Sequence, residues 1–244
     1  VSSEPRRFRW SLAESVEAAR TLALQRFPDA ECAWLGGSVV RGTATATSDL
    51  DVLVLLNGHP APFRESVTYD GVPVELFVQT HESLRRFRDE DQRRRQPTTA
   101  RLVADTARLL GDAATLDAVE RECRAEIEAG PRPLSPDEID RQRYVLTDLV
   151  DDLTEAPSAE ATLLVAMVLE GAIRLLLGLE RHWQGTGKGL VRELEHWYAT
   201  GADDSGVGAL LLAALEDPRR LAVEAAEDVL NGCGGRLFEG YRIG

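Results

Sequence analysis

Three acidic residues in the first third of the chain have the types and spacing to hold a divalent cation. Asp49 and Asp51 flank Leu50 at the start of an apolar run, and positions i and i+2 of a strand share a face. Glu75 sits in Val74-Glu75-Leu76-Phe77, on the second arm of an expected hairpin, with its neighbours turned the other way. Three carboxylates on one sheet face repel, and at about 5 Å and an effective dielectric of about 20 each pair costs about 3 kcal/mol. A bound cation removes that cost. An all-oxygen donor set suits Mg²⁺, which keeps part of its coordination sphere for water and phosphate. Such an ion neutralises a triphosphate and aligns the attacking and leaving oxygens, which is what phosphoryl and nucleotidyl transfer require. Gly37-Ser38 fits the same chemistry. Glycines after a strand let backbone amides approach phosphate oxygens without a Cβ in the way, the Ser38 hydroxyl adds a donor, and Arg41 follows one turn on.

The elements that must position these residues are legible in outline. Residues 11–26 carry apolar positions at helical spacing, with Ser11 as N-cap and Glu14 completing a capping box. A short strand over 31–36 runs into Gly36-Gly37-Ser38, and a helical turn and a Thr/Ala-rich loop cover 38–48. Residues 50–56 (LDVLVLL) read as a strand buried on both faces. Residues 64–69 and 72–79 flank Asp70-Gly71, a strong hairpin turn signal. A charged helix follows over 83–95, then a helix and short strand within 101–110 whose boundary the pattern leaves open, then a helix over 114–129.

Gly130-Pro131-Arg132-Pro133 breaks the chain, so the expected domains are 1–130 and 131–244. Beyond the break every signal is helical. Ser135-Pro136-Asp137-Glu138 opens a helix to about Leu153. A second helix over 159–182 is apolar almost all round and is expected at the centre of a bundle. Others cover about 189–199 and 206–216, and a last one begins at Asp217-Pro218 and ends at Asn231-Gly232. The fold class is therefore an α/β (α+β) head with a small mixed sheet, followed by an all-α helical bundle.

Composition narrows the partners. The chain has 244 residues and a formal charge of −13. The expected first domain contributes −4 and the second −9. The basic residues form no long run beyond Arg93-Arg94-Arg95, beside Asp89, Glu90 and Asp91, which argues against nucleic acid as the main partner. The most apolar stretch, 161–179, carries Glu170 and Arg174 in its middle and reads as a core helix rather than a membrane span. With Arg6, Arg7, Arg9, Glu14 and Glu17 in place of an apolar leader, the expected location is cytoplasmic. Cys32, Cys123 and Cys233 are too far apart and odd in number to make a disulfide framework or a zinc site. Of 28 basic residues, Lys188 alone is lysine, as if a GC-rich codon bias had replaced every lysine that arginine could stand in for.

Gly37-Ser38, ten residues, Asp49-Leu50-Asp51 and then Glu75 resembles the polymerase-β-like nucleotidyltransferase superfamily. The resemblance implies that Asp49, Asp51 and Glu75 hold two Mg²⁺ ions, that Gly37 and Ser38 hold the triphosphate of ATP or another NTP, and that Glu75 or a neighbour acts as base toward an acceptor hydroxyl. A head followed by a helical bundle is similar in layout to the aminoglycoside nucleotidyltransferases, in which the bundle closes over the head. That likeness implies an adenylyltransferase acting on a small hydroxyl-bearing acceptor, aminoglycoside-like and tied to antibiotic resistance, in a monomer or homodimer. It assigns Arg174 and Lys188, in the loop Trp183-Gln184-Gly185-Thr186-Gly187-Lys188-Gly189, to nucleotide binding. It assigns Asp148, Asp151, Asp152 and Glu170 to the acceptor. Each has a plainer reading: an exposed lysine, an Arg174–Glu170 pair within one helix, and a solvated acidic helix face. Trp183 and Trp197 suit bundle packing, and the four histidines form no ligand pattern. Two other functions stay open: modification of a protein or tRNA end, as in toxin–antitoxin systems, and NTP binding without catalysis.

Overall fold

A computed structural model describes residues 8–242 of the chain. Arg6 and Arg7 of the expected non-leader terminus lie outside the described residues. The chain forms two compact units that divide between Ala129 and Gly130.

The first unit is built on a five-stranded mixed sheet. Its strands are β1 (Cys32–Gly36), β2 (Leu50–Leu55), β3 (Phe63–Tyr69), β4 (Val72–Gln79) and β5 (Ala107–Leu110), in spatial order β3-β4-β2-β1-β5. Only β2 and β4 run parallel; the other three pairings are antiparallel. Asp70 and Gly71 both take positive φ (46° and 76°), so the two-residue turn matches the twist of β3 and β4. Alternation then sorts the side chains. Leu50, Val52 and Val54 of β2 and Val72, Val74, Leu76 and Val78 of β4 pack with α1 (Leu12–Arg26) on one face. Leu53, Leu55 and Phe77 pack on the other face, among α3 (His81–Arg94), α4 (Thr98–Ala104) and α5 (Ala113–Ala129). The one-turn α2 (Gly37–Val40) follows β1. The region left open by the sequence resolves into α4 and β5, with β5 a sheet edge paired only to β1.

A buried ion network ties α5 to this sheet. Glu120, 2% exposed, accepts the Trp34 indole N–H at 3.0 Å and Arg108 Nε–H at 2.7 Å on one oxygen. Its other oxygen accepts from Arg108 and Arg124, each at 2.8 Å. The Arg108 bonds hold its carboxyl below the usual glutamate range. Removing the carboxylate leaves the buried Trp34 N–H without its acceptor and takes one partner from Arg108 and Arg124. Glu120→Ala is expected to cost about 3 kcal/mol and to lower the melting temperature by roughly 10 °C, as thermal denaturation followed by circular dichroism would register.

The second unit contains α6 (Pro136–Glu155), α7 (Ser158–Leu179), α8 (Lys188–Ala199), α9 (Val207–Glu216) and α10 (Pro218–Gly232). Ser135 caps α6 through a complete capping box with Glu138. α7 packs against all four other helices around a core that includes Leu146, Ile173, Leu177, Leu194, Leu211 and Leu230. Its C-terminal half is buried as expected of a central helix. Its N-terminal half is only partly covered: Val165 and Val168 are buried, whereas Leu163 and Met167 are exposed. By length and composition α7 could cross a membrane, and half of its apolar window is buried within the structure. Trp183 and Trp197 are both buried, and Trp197 packs in the core. All three cysteines are free thiols.

Candidate active site

Asp51, in the interior of the sheet, is fixed by two strand pairings. It lies opposite Gly36 of β1 and in register with Glu75 of β4. Asp49 stands two residues earlier, delivered by a turn in which Ser48 N–H donates to the Thr45 carbonyl and Thr45 N–H to Ser48 Oγ, both at 2.9 Å. Leu50, Val52, Val74 and Leu76 are buried in the opposite face, so the three carboxylates must emerge together. One oxygen from each of Asp49, Asp51 and Glu75 lies within 4.8 Å of the others, and this is the one such metal-holding group among the described residues. The donor set is all oxygen and partly buried, which fits a hard divalent cation such as Mg²⁺.

Gly37 makes room for this cluster. Its φ is +76°, and a Cβ built there would lie 1.9 Å from Asp51 Oδ2. Only glycine permits both the left-handed backbone and the close approach of the carboxylate. The chain continues through Ser38, whose carbonyl accepts from Thr43 N–H at 2.9 Å, to Arg41 at the end of α2.

The electrostatics suit a cation site. Burial pushes the Asp51 carboxyl up to about 6, the charges on Asp49 and Glu75 push the same way, and Arg41 and Arg64 oppose them. Arg64 was not visible as a site residue in the sequence. It sits on β3 opposite Phe77, with Nη2 2.5 Å from Glu75 Oε2 and its guanidinium 4.7 Å from the Phe77 ring centroid. The hairpin register would have found it, because Arg64 and Glu75 are diagonal neighbours across β3 and β4. Arg64 competes with a cation for Glu75. Arg64→Ala is therefore expected to tighten Mn²⁺ binding about fivefold, measured by titration of the free ion by electron paramagnetic resonance.

The candidates in the second unit are engaged locally. Arg174 Nε donates to Glu170 Oε1 at 2.9 Å, the intrahelical pair that the i, i+4 spacing allows. Its Nη1 donates to Gln184 Oε1 at 3.1 Å, and Gln184 Nε2 returns a bond to the Arg174 carbonyl at 2.9 Å. Gln184, buried and overlooked in the sequence, thus couples Arg174 to the turn before Lys188. Lys188 is not in the loop proper but is the first residue of α8, after Gly187 at φ +51°. Asp148, Asp151 and Asp152 are exposed, and Asp151 pairs with Arg236. His81 pairs with Glu31 at 3.1 Å, and none of the histidines joins a metal-holding group among the described residues.

Comparison with known proteins agrees with the geometry of the first unit. Residues 16–98 match the nucleotidyltransferase domain family. No curated protein sequence matches the chain. Among solved structures, a nucleotidyltransferase-like protein from Exiguobacterium sibiricum is similar over 89% of this chain and 74% of its own, with 14% identity and a TM-score of 0.45. The matched segment spans α1 to the start of α4 and contains Gly37, Asp49, Asp51 and Glu75. Residues 16–98 are therefore similar to a nucleotidyltransferase domain, the kind of domain that the Gly37-Ser38, Asp49, Asp51 and Glu75 pattern resembles.

Proposed function

We propose that this protein transfers a nucleoside monophosphate, AMP, from a nucleoside triphosphate to a hydroxyl of a small acceptor and releases pyrophosphate. The observation that carries this reading is the convergence of Asp49, Asp51 and Glu75 within 4.8 Å, beside a glycine whose missing Cβ leaves them space. These three residues would hold Mg²⁺, which when bound neutralises triphosphate charge and orients the reacting oxygens. Gly37 and Ser38 present backbone and hydroxyl donors to the phosphates, with Arg41 adding positive charge. In the transfer the acceptor oxygen bonds to the α-phosphorus, and the bond from that phosphorus to the bridging oxygen breaks. The pair of electrons leaves on pyrophosphate, and the hydroxyl proton passes to a carboxylate of the cluster.

Arg174, steadied by Glu170 and Gln184, and Lys188 are proposed as further triphosphate ligands. Lysine is a compact point charge that arginine's planar fork does not replace. Lys188→Arg is therefore expected to lower kcat/KM for ATP about tenfold with an unchanged melting temperature; a fully active variant would remove Lys188 from the site. A polycationic, aminoglycoside-like acceptor is the second reading. Asp151, Asp152, Glu155 and Glu160 favour it, since they line a groove of about 670 Å³ between α6 and α7.

The test is pyrophosphate release from ATP and Mg²⁺ with a panel of hydroxyl compounds of positive, neutral and negative charge, aminoglycosides included. Release that depends on both acceptor and Mg²⁺ supports the proposal. No release with any acceptor, where a control transferase responds, overturns it.

A further inference from the structure

The face of the sheet that bears the carboxylates does not end with them. On β2 the side chain after Asp51 on this face is Leu53; on β4 Phe77 and Gln79 follow Glu75. Each two-residue step along a strand is about 7 Å, so these side chains lead straight from the cluster. They form the floor of a groove of about 450 Å³, roofed by α3 and α4. A cavity of that size suits a small molecule. Arg64, which touches Glu75 at 2.5 Å, also lines the groove, so the groove opens one side chain away from the cluster.

The lining has a definite chemistry. Phe77 and Phe87 supply an apolar wall. Arg64, Arg86 and Arg94 supply positive charge against a single acidic residue, Asp91. Asp91 is buried and committed: it accepts Thr99 N–H at 2.7 Å, and burial raises its carboxyl. Arg86 lies over the Phe87 ring at 5.0 Å, and Arg94 lies 3.9 Å from Glu90. Gln79 accepts the Ser83 hydroxyl at 2.6 Å, which leaves its amide NH₂ as a donor. A site of donors and phenyl rings binds an anionic head on an apolar body, and it repels a polycation.

The groove also lies on the correct side. Gly37-Ser38 flank Asp51 from β1, whereas the groove extends under β4 and β3, with Glu75 between the two. A triphosphate on the first side and an acceptor on the second would meet at the carboxylates. We propose, on the basis of the transfer reading above, that this groove is the acceptor subsite. It takes a small hydroxyl compound that bears a carboxylate or phosphate and an apolar ring or chain.

Calorimetric titration of the full chain with phenyl phosphate, 2-phenylethanol and 2-phenylethylamine tests this. Phenyl phosphate is expected to bind saturably, at least about tenfold tighter than the neutral probe, with the amine weakest. The variant R86E/R94E, whose two side chains are solvent-facing, should lose at least about tenfold in phenyl phosphate affinity with an unchanged melting temperature. D51N should bind phenyl phosphate as the wild type does while losing Mg²⁺-dependent ATP binding. The proposal is overturned if the amine binds as well as the phosphate, if R86E/R94E binds unchanged, or if ATP with Mg²⁺ displaces phenyl phosphate. A wild type that binds phenyl phosphate but not ATP with Mg²⁺ keeps the anion groove, defeats its role as acceptor site, and refutes the transfer reading separately.

Discussion

Asp51→Asn is expected to abolish nucleotidyl transfer and, in the same molecule, to raise the melting temperature of the metal-free protein. The activity loss follows from geometry. Asp51 is central in the cluster, directly in register with Glu75 and two residues from Asp49, and an amide is a poor ligand for a hard cation. A drop of at least about 10³-fold in kcat/KM is expected, equivalent to about 4 kcal/mol of transition-state stabilisation. The stability gain follows from the same burial. A carboxyl raised to about 6 by desolvation and by Asp49 and Glu75 is more easily protonated when folded than when unfolded. Its contribution is favourable below the unfolded value near 4 and is lost as pH rises through about 6. By pH 7 the metal-free wild type has lost up to about 3 kcal/mol that Asp51→Asn does not lose. Thermal denaturation in chelator at pH 4 and pH 7 should show the variant melting about 5 °C or more above wild type at pH 7, with a smaller gap at pH 4. Mg²⁺ should raise the melting temperature of the wild type only. Equal melting temperatures at both pH values would contradict the electrostatic account.

The second large effect is expected from a single methyl group. Gly37→Ala places a carbon 1.9 Å from Asp51 Oδ2 on a backbone at φ +76°. The left-handed conformation alone costs about 1–2 kcal/mol for an L-residue with a side chain. The clash adds to this, because Asp51 is held by β1 on one side and β4 on the other and has little room to withdraw. The protein should remain folded, destabilised by about 2 kcal/mol or more. The carboxylate should be pushed off the cation position, with a loss of at least about 100-fold in activity. Mn²⁺ titration separates the two effects: the variant should bind the ion weakly even well below its melting temperature. Gly42, also at positive φ (69°), has nothing within 4 Å of an added Cβ and serves as the control. Gly42→Ala should carry the backbone cost without the metal defect.

The elements that repeat a simple pattern could be read from the sequence, and those that depend on a long-range partner could not. The two-residue period of a strand, applied to LDVLVLL and VPVELFVQ, set which faces β2 and β4 would show. The convergence of Asp49, Asp51 and Glu75 followed from that period. Arg64 was missed because its partner depends on the strand register rather than on its own neighbours. Glu120 was missed for a related reason: Trp34, Arg108 and Arg124 come together only once β1, β5 and α5 pack. The α4–β5 boundary stayed open because neither element is long enough for a period to emerge. The half-exposed face of α7 was hidden by composition, since apolar residues surround the helix along its whole length while neighbours leave Leu163 and Met167 uncovered. Gln184 gave no signal, as a lone glutamine carries none until its partner is in place.

The parallel alignment of β2 with β4 also limits which changes in chain length the first unit can tolerate. Residues 57–61, between β2 and β3, are partly or fully exposed and pair with no strand, so extra residues there would bulge outward and leave the cluster untouched. One residue inserted between Val72 and Val74 is a different matter. It would advance β4 by one position past β2, which sets Val74 beside Asp51 in place of Glu75 and turns the hydrophobic side of β4 away from α1. Such a protein would lose the cluster and the packing of β4 against α1 together. Grafted loops and reporter insertions therefore belong before β3 and never inside the hairpin.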